Sequence, residues 1–319
     1  MKATNLFVSS LCLLPLFTSQ ASACDSCAIY IATEALGEST TGWFIGAAGQ
    51  YTYFGSTRVD GHEVPNEADQ HLDSSITQAI VGYNFTPRLS AQLNLPYIYR
   101  SYDRPEGFRT DKGSVAGIGD ASLTGRFLIT RIDKPDLTFI WNLLAGVKLP
   151  TGSSSRLKEE FNESEVPGAP ASGIHGHDLA LGSGSVDGVV GTSAYFRYQR
   201  TFATAAVQYA IRSEGDYDYR YANALSWEGG IGAYLLLTHS HTLALEMMVT
   251  GDYKRTDTFQ GEAAADTAMN AVYIGPKLVG TWGDDLSADL GVDLPVKLQN
   301  SAFQTVPDLR LRAGITWRF

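Results

Sequence analysis

The chain has 319 residues, 44% hydrophobic and 18% charged, and 34 acidic against 24 basic side chains give it a net charge of −10. That balance argues against nucleic-acid binding, while 32 glycines, 16 tyrosines and 14 phenylalanines suit a large all-β protein better than a helical one. No stretch approaches the ~20 uninterrupted apolar residues of a spanning helix, so any membrane span must be made of strands.

At the amino terminus, Met1-Lys2, the apolar run from Leu6 to Phe17 and Ala21-Ser22-Ala23 read as the charged, apolar and cleavage regions of a signal peptide over residues 1–23. Its removal leaves 296 residues with 23 basic and 34 acidic side chains, a net charge of −11, and takes Cys12 with it. Residues 24–40 are expected as a periplasmic leader in which Ile29, Ile31, Ala32, Ala35 and Leu36 outline a short amphipathic helix, the alternative being a frayed segment. Within it, Cys24 and Cys27 can close a small disulfide in an oxidising compartment, bind metal with ligands from elsewhere, or hold a periplasmic redox partner. Position 28 is Ala where a haem-attachment site has His, and Ala21 sits where lipoprotein signals usually place Leu.

From residue 41 to 319 a two-residue period recurs. Leu89, Ala91, Leu93, Leu95, Tyr97 and Tyr99 alternate with Ser90, Gln92, Asn94 and Arg100; Leu137, Phe139, Trp141, Leu143 and Val147 alternate with Thr138, Asn142 and Lys148. Further on, Ala203, Ala205, Val207, Tyr209 and Ile211 face away from Thr204, Gln208 and Arg212, and Leu243, Leu245, Met247 and Val249 from Glu246, Thr250 and Asp252. Leu286, Ala288, Leu290, Val292, Leu294 and Val296 then oppose Ser287, Asp289, Asp293 and Lys297, and the last residues set Leu309, Leu311, Ala313, Ile315, Trp317 and Phe319 against Arg310, Arg312, Thr316 and Arg318.

Such runs are longer than the usual five or six residues of soluble strands and match the roughly 9–11 that a tilted bilayer-crossing strand needs. Twelve segments are expected, near 42–54, 75–86, 88–102, 115–131, 136–150, 184–199, 201–213, 219–237, 242–255, 268–282, 286–297 and 308–319. Short links alternate with longer ones over 55–74, 103–114, 151–183, 256–267 and 298–307, with only 214–218 short for its side. An even strand count with alternating turns and loops describes a transmembrane antiparallel β-barrel with both termini in the periplasm of a bacterial outer membrane.

Three motifs carry a resemblance. Gly117-Ile-Gly-Asp120 at a strand start, Gly146-Val-Lys-Leu-Pro-Thr-Gly152 at a strand end and Leu181-Gly-Ser-Gly-Ser-Val-Asp187 at the next start resemble, in order, the outer-membrane family named for the MetA pathway of phenol degradation. That resemblance implies a β-barrel with a transport role for small organic, including aromatic, compounds and implies no enzyme. The amino-terminal Cys pair and the long 151–183 loop depart from the family pattern. In physical terms, the glycines suit bends and close approaches, and Pro150, lacking an N–H, suits a strand leaving the sheet.

With the apolar set toward lipid, the lumen receives Asp120, Arg126, Lys148, Asp187, Arg197, Arg212, Glu228, Glu246, Asp252, Lys254, Lys277, Asp289, Asp293, Lys297, Arg310 and Arg312. A Lys or Arg on the lipid face at the midplane would cost ~2–4 kcal/mol. Near-balanced charge describes paired networks or a narrow hydrated passage; the alternative is a lumen packed shut. Loops carrying Asp60, Glu63, Glu67, Asp69, Asp73, Glu159, Glu160, Glu163, Glu165, Asp178, Asp257, Glu262 and Asp266 predict an acidic outer mouth that meets cations and lipopolysaccharide.

His175, His177 and Asp178 supply metal-type ligands but too few to complete a site. Ser183 and Ser185 lie near these histidines in sequence, the ingredients of a lipid hydrolase without its constellation, and no cofactor-binding motif is present. The expectation is a channel for small organic solutes, with a scaffold holding a periplasmic partner through Cys24 and Cys27 as the alternative.

Overall fold

A computed structural model describes residues 41–161 and 166–319. The signal peptide, the leader and its Cys pair, together with Glu163 and Glu165, lie outside the described residues. No helix among those described is long and apolar enough to cross a membrane.

Twelve strands close the barrel: β1 (Gly42–Val59), β2 (His71–Thr86), β3 (Leu89–Glu106), β4 (Ser122–Lys134), β5 (Leu137–Lys148), β6 (Asp187–Tyr198), β7 (Thr201–Ile211), β8 (Ala224–Leu237), β9 (His241–Lys254), β10 (Met269–Trp282), β11 (Leu286–Asn300) and β12 (Phe303–Arg318). Each pairs antiparallel with the next, and β1 pairs with β12 from Phe44 opposite Arg318 to Val59 opposite Phe303. Closure satisfies every edge, as a sheet in lipid requires. At the seam a bulge near Phe54 frees two amides, and the Asp308 carboxylate accepts both, from Gly55 at 3.0 Å and Ser56 at 2.9 Å. The carboxyl terminus is tied in as well: the Phe319 N–H donates to the Trp43 carbonyl at 3.0 Å.

Alternation fixes the two faces. Leu290, Leu294, Ile315 and Ile231 stand outward, Ile231 73% exposed, while Asn94, Thr52, Ser74 and Asn142 are buried within. So much large apolar surface on one side is stable only against hydrocarbon. Near the short turns, Trp43, Phe85, Trp282, Trp317 and Phe319 are exposed and Tyr83 is half-buried, with Trp43 and Tyr83 edge-on at 5.0 Å and Trp317 and Phe319 tilted at 5.7 Å. Aromatic rings at that level form the girdle of a membrane interface. A closed barrel with this surface is a bacterial outer-membrane protein.

Several boundaries differ from those the sequence suggests. The expected strand 115–131 is broken at Gly119-Asp120-Ala121; residues Arg109–Ile118 pair with the upper half of β3 as a hairpin, and β4 takes over below. The expected loop 103–114 is therefore largely strand. Likewise 298–307 is a tight hairpin, because β11 runs to Asn300 and β12 starts at Phe303. Part of the expected strand 219–237 is diverted: Tyr219–Arg220 joins Asp257–Phe259 and Glu262–Ala264 in a small three-stranded sheet at the outer end. Above the membrane β1 continues into a hairpin with His62–Val64 across Asp60-Gly61, both at positive φ (48° and 81°), as a two-residue type I′ turn demands.

Candidate functional site

After Lys148 the chain leaves the wall. Pro150 cannot extend the ladder, and at Gly152 a side chain would strike the Leu181 carbonyl at 2.6 Å, so only glycine lets the outgoing and returning strands approach. The sequence places the next stretch in an outer loop; in the structure it folds into the bore instead. A 3₁₀ segment, Ser155–Phe161, and a single helical turn, Gly176–Leu179, carry it across, and it rejoins the wall at β6.

Its apolar residues are seated on opposite walls. Ile174 and Leu179 pack against Phe54 of β1, Leu72 of β2 and Tyr102 of β3, and Leu181 against Ile76 and Ile98. On the far side Leu157 and Ala180 meet Tyr219 and Tyr221. Polar bonds add to this: Gly173 donates to the Gln70 amide oxygen at 2.7 Å and accepts from the Thr305 N–H at 2.9 Å, and the Tyr221 hydroxyl donates to the His177 carbonyl at 3.0 Å. Arg100, 1% exposed, donates to the Asp178 carbonyl at 2.5 Å and the Ala180 carbonyl at 2.8 Å.

The three sequence motifs converge where this insert enters and leaves. Asp120 accepts from Gly152 N–H at 3.0 Å, Ser183 N–H at 2.9 Å and the Ser183 hydroxyl at 2.8 Å, and pairs with Lys148 at 2.5 Å. Thr151 donates to the Gly119 carbonyl and accepts from Ala121 N–H, both at 2.8 Å. Lys148 also pairs with Asp187 at 2.9 Å and contacts the Ser183 hydroxyl, while Asp187 accepts from Arg212 at 2.7 Å and Ser185 at 2.8 Å. These groups form a clasp that holds both ends of the insert to β5 and β6.

The other predicted lumen residues occupy the bore in two regions. On the β8–β12 wall, Arg312 bridges Asp293 at 2.8 Å and Glu228 at 3.1 Å, and Arg310 pairs with Asp252 at 3.0 Å while lying 4.1 Å over the Tyr273 ring. Glu246 sits in register with Lys277 and accepts from the Thr204 hydroxyl at 2.5 Å; Asp289 lies half-buried opposite Gly314. Lys254 turns upward to Asp257 at 2.5 Å. On the β3–β6 wall, Arg126 donates to Ser90 at 3.3 Å and Arg197 to Thr138 at 2.9 Å, near the periplasmic turns. Lys297 is the exception. A bulge between β10 and β11 sets it opposite outward-facing Val272, and it is exposed.

His175 and His177 lie on the insert and stack with parallel rings 5.7 Å apart. They diverge to separate partners: His175 Nε2 meets Asp266 at 3.1 Å, while His177 Nδ1 meets Glu160 at 3.0 Å and its Nε2 faces Asp178 at 3.5 Å. Among the described residues no group of three or more His, Cys, Asp or Glu side chains is arranged to hold a metal ion. Burial works to lower the pKa of His177 and is outweighed by Asp178, Glu160 and Asp266, which raise it well above the ordinary imidazole value. Burial likewise works to raise Asp178, and His177 and His175 outweigh it and hold that carboxyl below its usual range. Glu159, Glu160 and Asp178, expected at the outer mouth, are inside it: Glu160 binds the His177 backbone at 2.7 Å, and Glu159 takes Arg104 at 2.8 Å.

Arg100, Gln70, Tyr221 and Glu160 are the residues of this site whose part the sequence does not reveal. Its alternation marks Arg100 only as lying on the polar face of a strand. Two cavities adjoin the insert, one of about 40 Å³ beside the clasp and one of about 30 Å³ between His177, Asp178, Asp266 and the wall. Spaces of that size hold water and not an organic molecule.

No family model matches the chain, and no curated protein does. Among solved structures it is similar to an outer membrane channel from Pseudomonas putida F1, at 14% identity and a TM-score of 0.57, over 89% of this chain and 97% of that one. That likeness concerns the fold. The translocator domain of autotransporter NalP from Neisseria meningitidis aligns over 90% of this chain and 92% of its own at 13% identity and a TM-score of 0.42.

Proposed function

We propose that the protein is an outer-membrane channel for small organic solutes, aromatic compounds among them, whose bore is closed by the 149–186 insert. The observation that carries this reading is the insert itself. A segment that enters the lumen, seats on opposite walls and is clasped at both ends restricts a passage; a barrel serving only as an anchor has no use for it. The wall it guards is suited to polar and aromatic cargo, with paired charges on β8–β12, amides and hydroxyls such as Gln78, Asn94, Asn142 and Gln208, and the rings of Tyr102, Tyr221 and Tyr273. The motif resemblance to the family of the phenol-degradation pathway points the same way.

An enzymatic reading through Ser183 or Ser185 with His175 or His177 finds little support: the Ser183 and Ser185 hydroxyls donate to Asp120 and Asp187, and the two histidines turn to Asp266, Glu160 and Asp178. The test is single-channel recording of the refolded protein in planar bilayers, in salt and then with small aromatic solutes. Discrete currents altered by such a solute support the reading, and a folded barrel silent under all conditions removes it.

A further inference from the structure

The seat of the insert contains a charge arrangement that the clasp and the apolar packing do not explain. A neutral imidazole carries one N–H and so can donate to one side only. His177 presents both ring nitrogens to carboxylates, Glu160 at 3.0 Å and Asp178 at 3.5 Å, and carboxylates only accept. Its side chain is almost fully buried, at 4% exposure, as is that of Glu160 at 8%. His175 faces Asp266, which lies on the loop before β10 rather than on the insert, so this contact joins insert to wall.

Among the described residues the groups facing the pair come from both the insert and the wall. From the insert come Glu160 and Asp178, with the Arg156 and Glu159 pair beyond them; from the wall come Asp266, the Arg100 guanidinium on the Asp178 carbonyl, and the Tyr219 ring stacked on His177 at 6.1 Å. Behind Tyr219, Asp257 is already held by Lys254 and by the Tyr219 hydroxyl. Among the described residues, Glu160 and Asp178 are thus two carboxylates that face the two ring nitrogens of His177, while Asp266 is met by His175 Nε2. With a neutral His177 one of its two carboxylates loses its donor in a largely buried seam.

We propose that His177, with His175 joining the insert to the wall, makes the insert a pH-responsive gate, seated while the His177 ring is protonated and released from the bore when it loses its proton. The inference rests on the insert closing a channel, as proposed above. The sign follows from linkage. A group whose proton is held more tightly in the seated state stabilises that state fully below its free pKa of ~6.5, and the contribution disappears as pH rises through the higher seated value. His177 is such a group. The cavity of about 30 Å³ beside His177, Asp178 and Asp266 has the size of a water molecule and gives a proton a place to reach His177.

The test reads insert position and conduction separately, on the full mature chain reconstituted in lipid vesicles. Tryptic cleavage after Arg156 and Lys158 reports release; bilayer current reports passage. Between about pH 6 and about pH 9, cleavage and conductance are each expected to rise several-fold. The His175→Gln, His177→Gln double variant is expected to be cleaved rapidly and to conduct at both pH values. Glu160→Gln keeps the histidines and removes one stabilising charge, and it is expected to move the midpoint to lower pH. Cleavage that ignores pH, a double variant with the wild-type profile, or an unmoved midpoint in Glu160→Gln overturns the gate. Cleavage that follows pH in a barrel conducting at neither value retains the gate and removes the channel reading; steady conduction with pH-independent cleavage does the reverse.

Discussion

At the scale of single residues, the clasp concentrates the most interdependent chemistry of the molecule. Asp120 satisfies two backbone amides, a hydroxyl and an ammonium at once. Asp120→Ala leaves Lys148 with Asp187 as its one carboxylate and strands both amides, a loss of at least ~3 kcal/mol, since breaking a buried pair costs ~3–5 kcal/mol and a backbone donor without a partner adds to it. Denaturant unfolding in detergent is expected to show a lower midpoint and faster tryptic cleavage of the insert; an unchanged profile would sink the clasp. Arg100→Met keeps the stem's packing and removes the donors to two carbonyls, and a loss of ~1–3 kcal/mol is expected in the same assay. The charges of the lumen are legible in the sequence because alternation leaves them one direction only. Lys297 breaks that rule because one bulged residue reverses a face, and a bulge leaves no mark in a two-residue period.

At the scale of elements, the strands reveal themselves wherever one face meets lipid and the other water. Above the bilayer both faces are wet and the alternation fades, and this is why the Asn300-Ser301-Ala302 hairpin and the Arg109–Ile118 strand resemble loops in sequence. The insert is hidden for a related reason: a hydrated bore accepts the same Gly, Ser, Pro and charged residues as an exposed loop, so composition does not tell inside from outside. The motifs do mark its two ends, since Gly152 and Gly182 are demanded by the close crossing of chain on chain. A prediction at this scale concerns the lipid face. Leu290, in register with Leu278 of β10 and Ala313 of β12, is 59% exposed in the apolar belt. Leu290→Arg is expected to cost ~2–4 kcal/mol if it lies near the midplane, measured by folding titration into vesicles. Loss of less than ~1 kcal/mol would place that belt outside the hydrocarbon.

At the scale of the whole molecule, a closed wall that only a bilayer suits surrounds an insert that occupies its bore. Wall and insert are separable: the wall is held by eleven ladders and the β1–β12 seam, the insert by the clasp, the Arg100 bonds and the histidine contacts. Removing the insert should therefore open the barrel without unfolding it. The deciding measurement is single-channel current of the intact protein beside a variant in which residues 153–182 are replaced by a short glycine linker, both checked for the heat-shifted migration of a folded barrel. Small or intermittent current is expected from the intact protein and a several-fold larger, steady current from the variant. Equal currents from two folded barrels would contradict a bore closed by its insert.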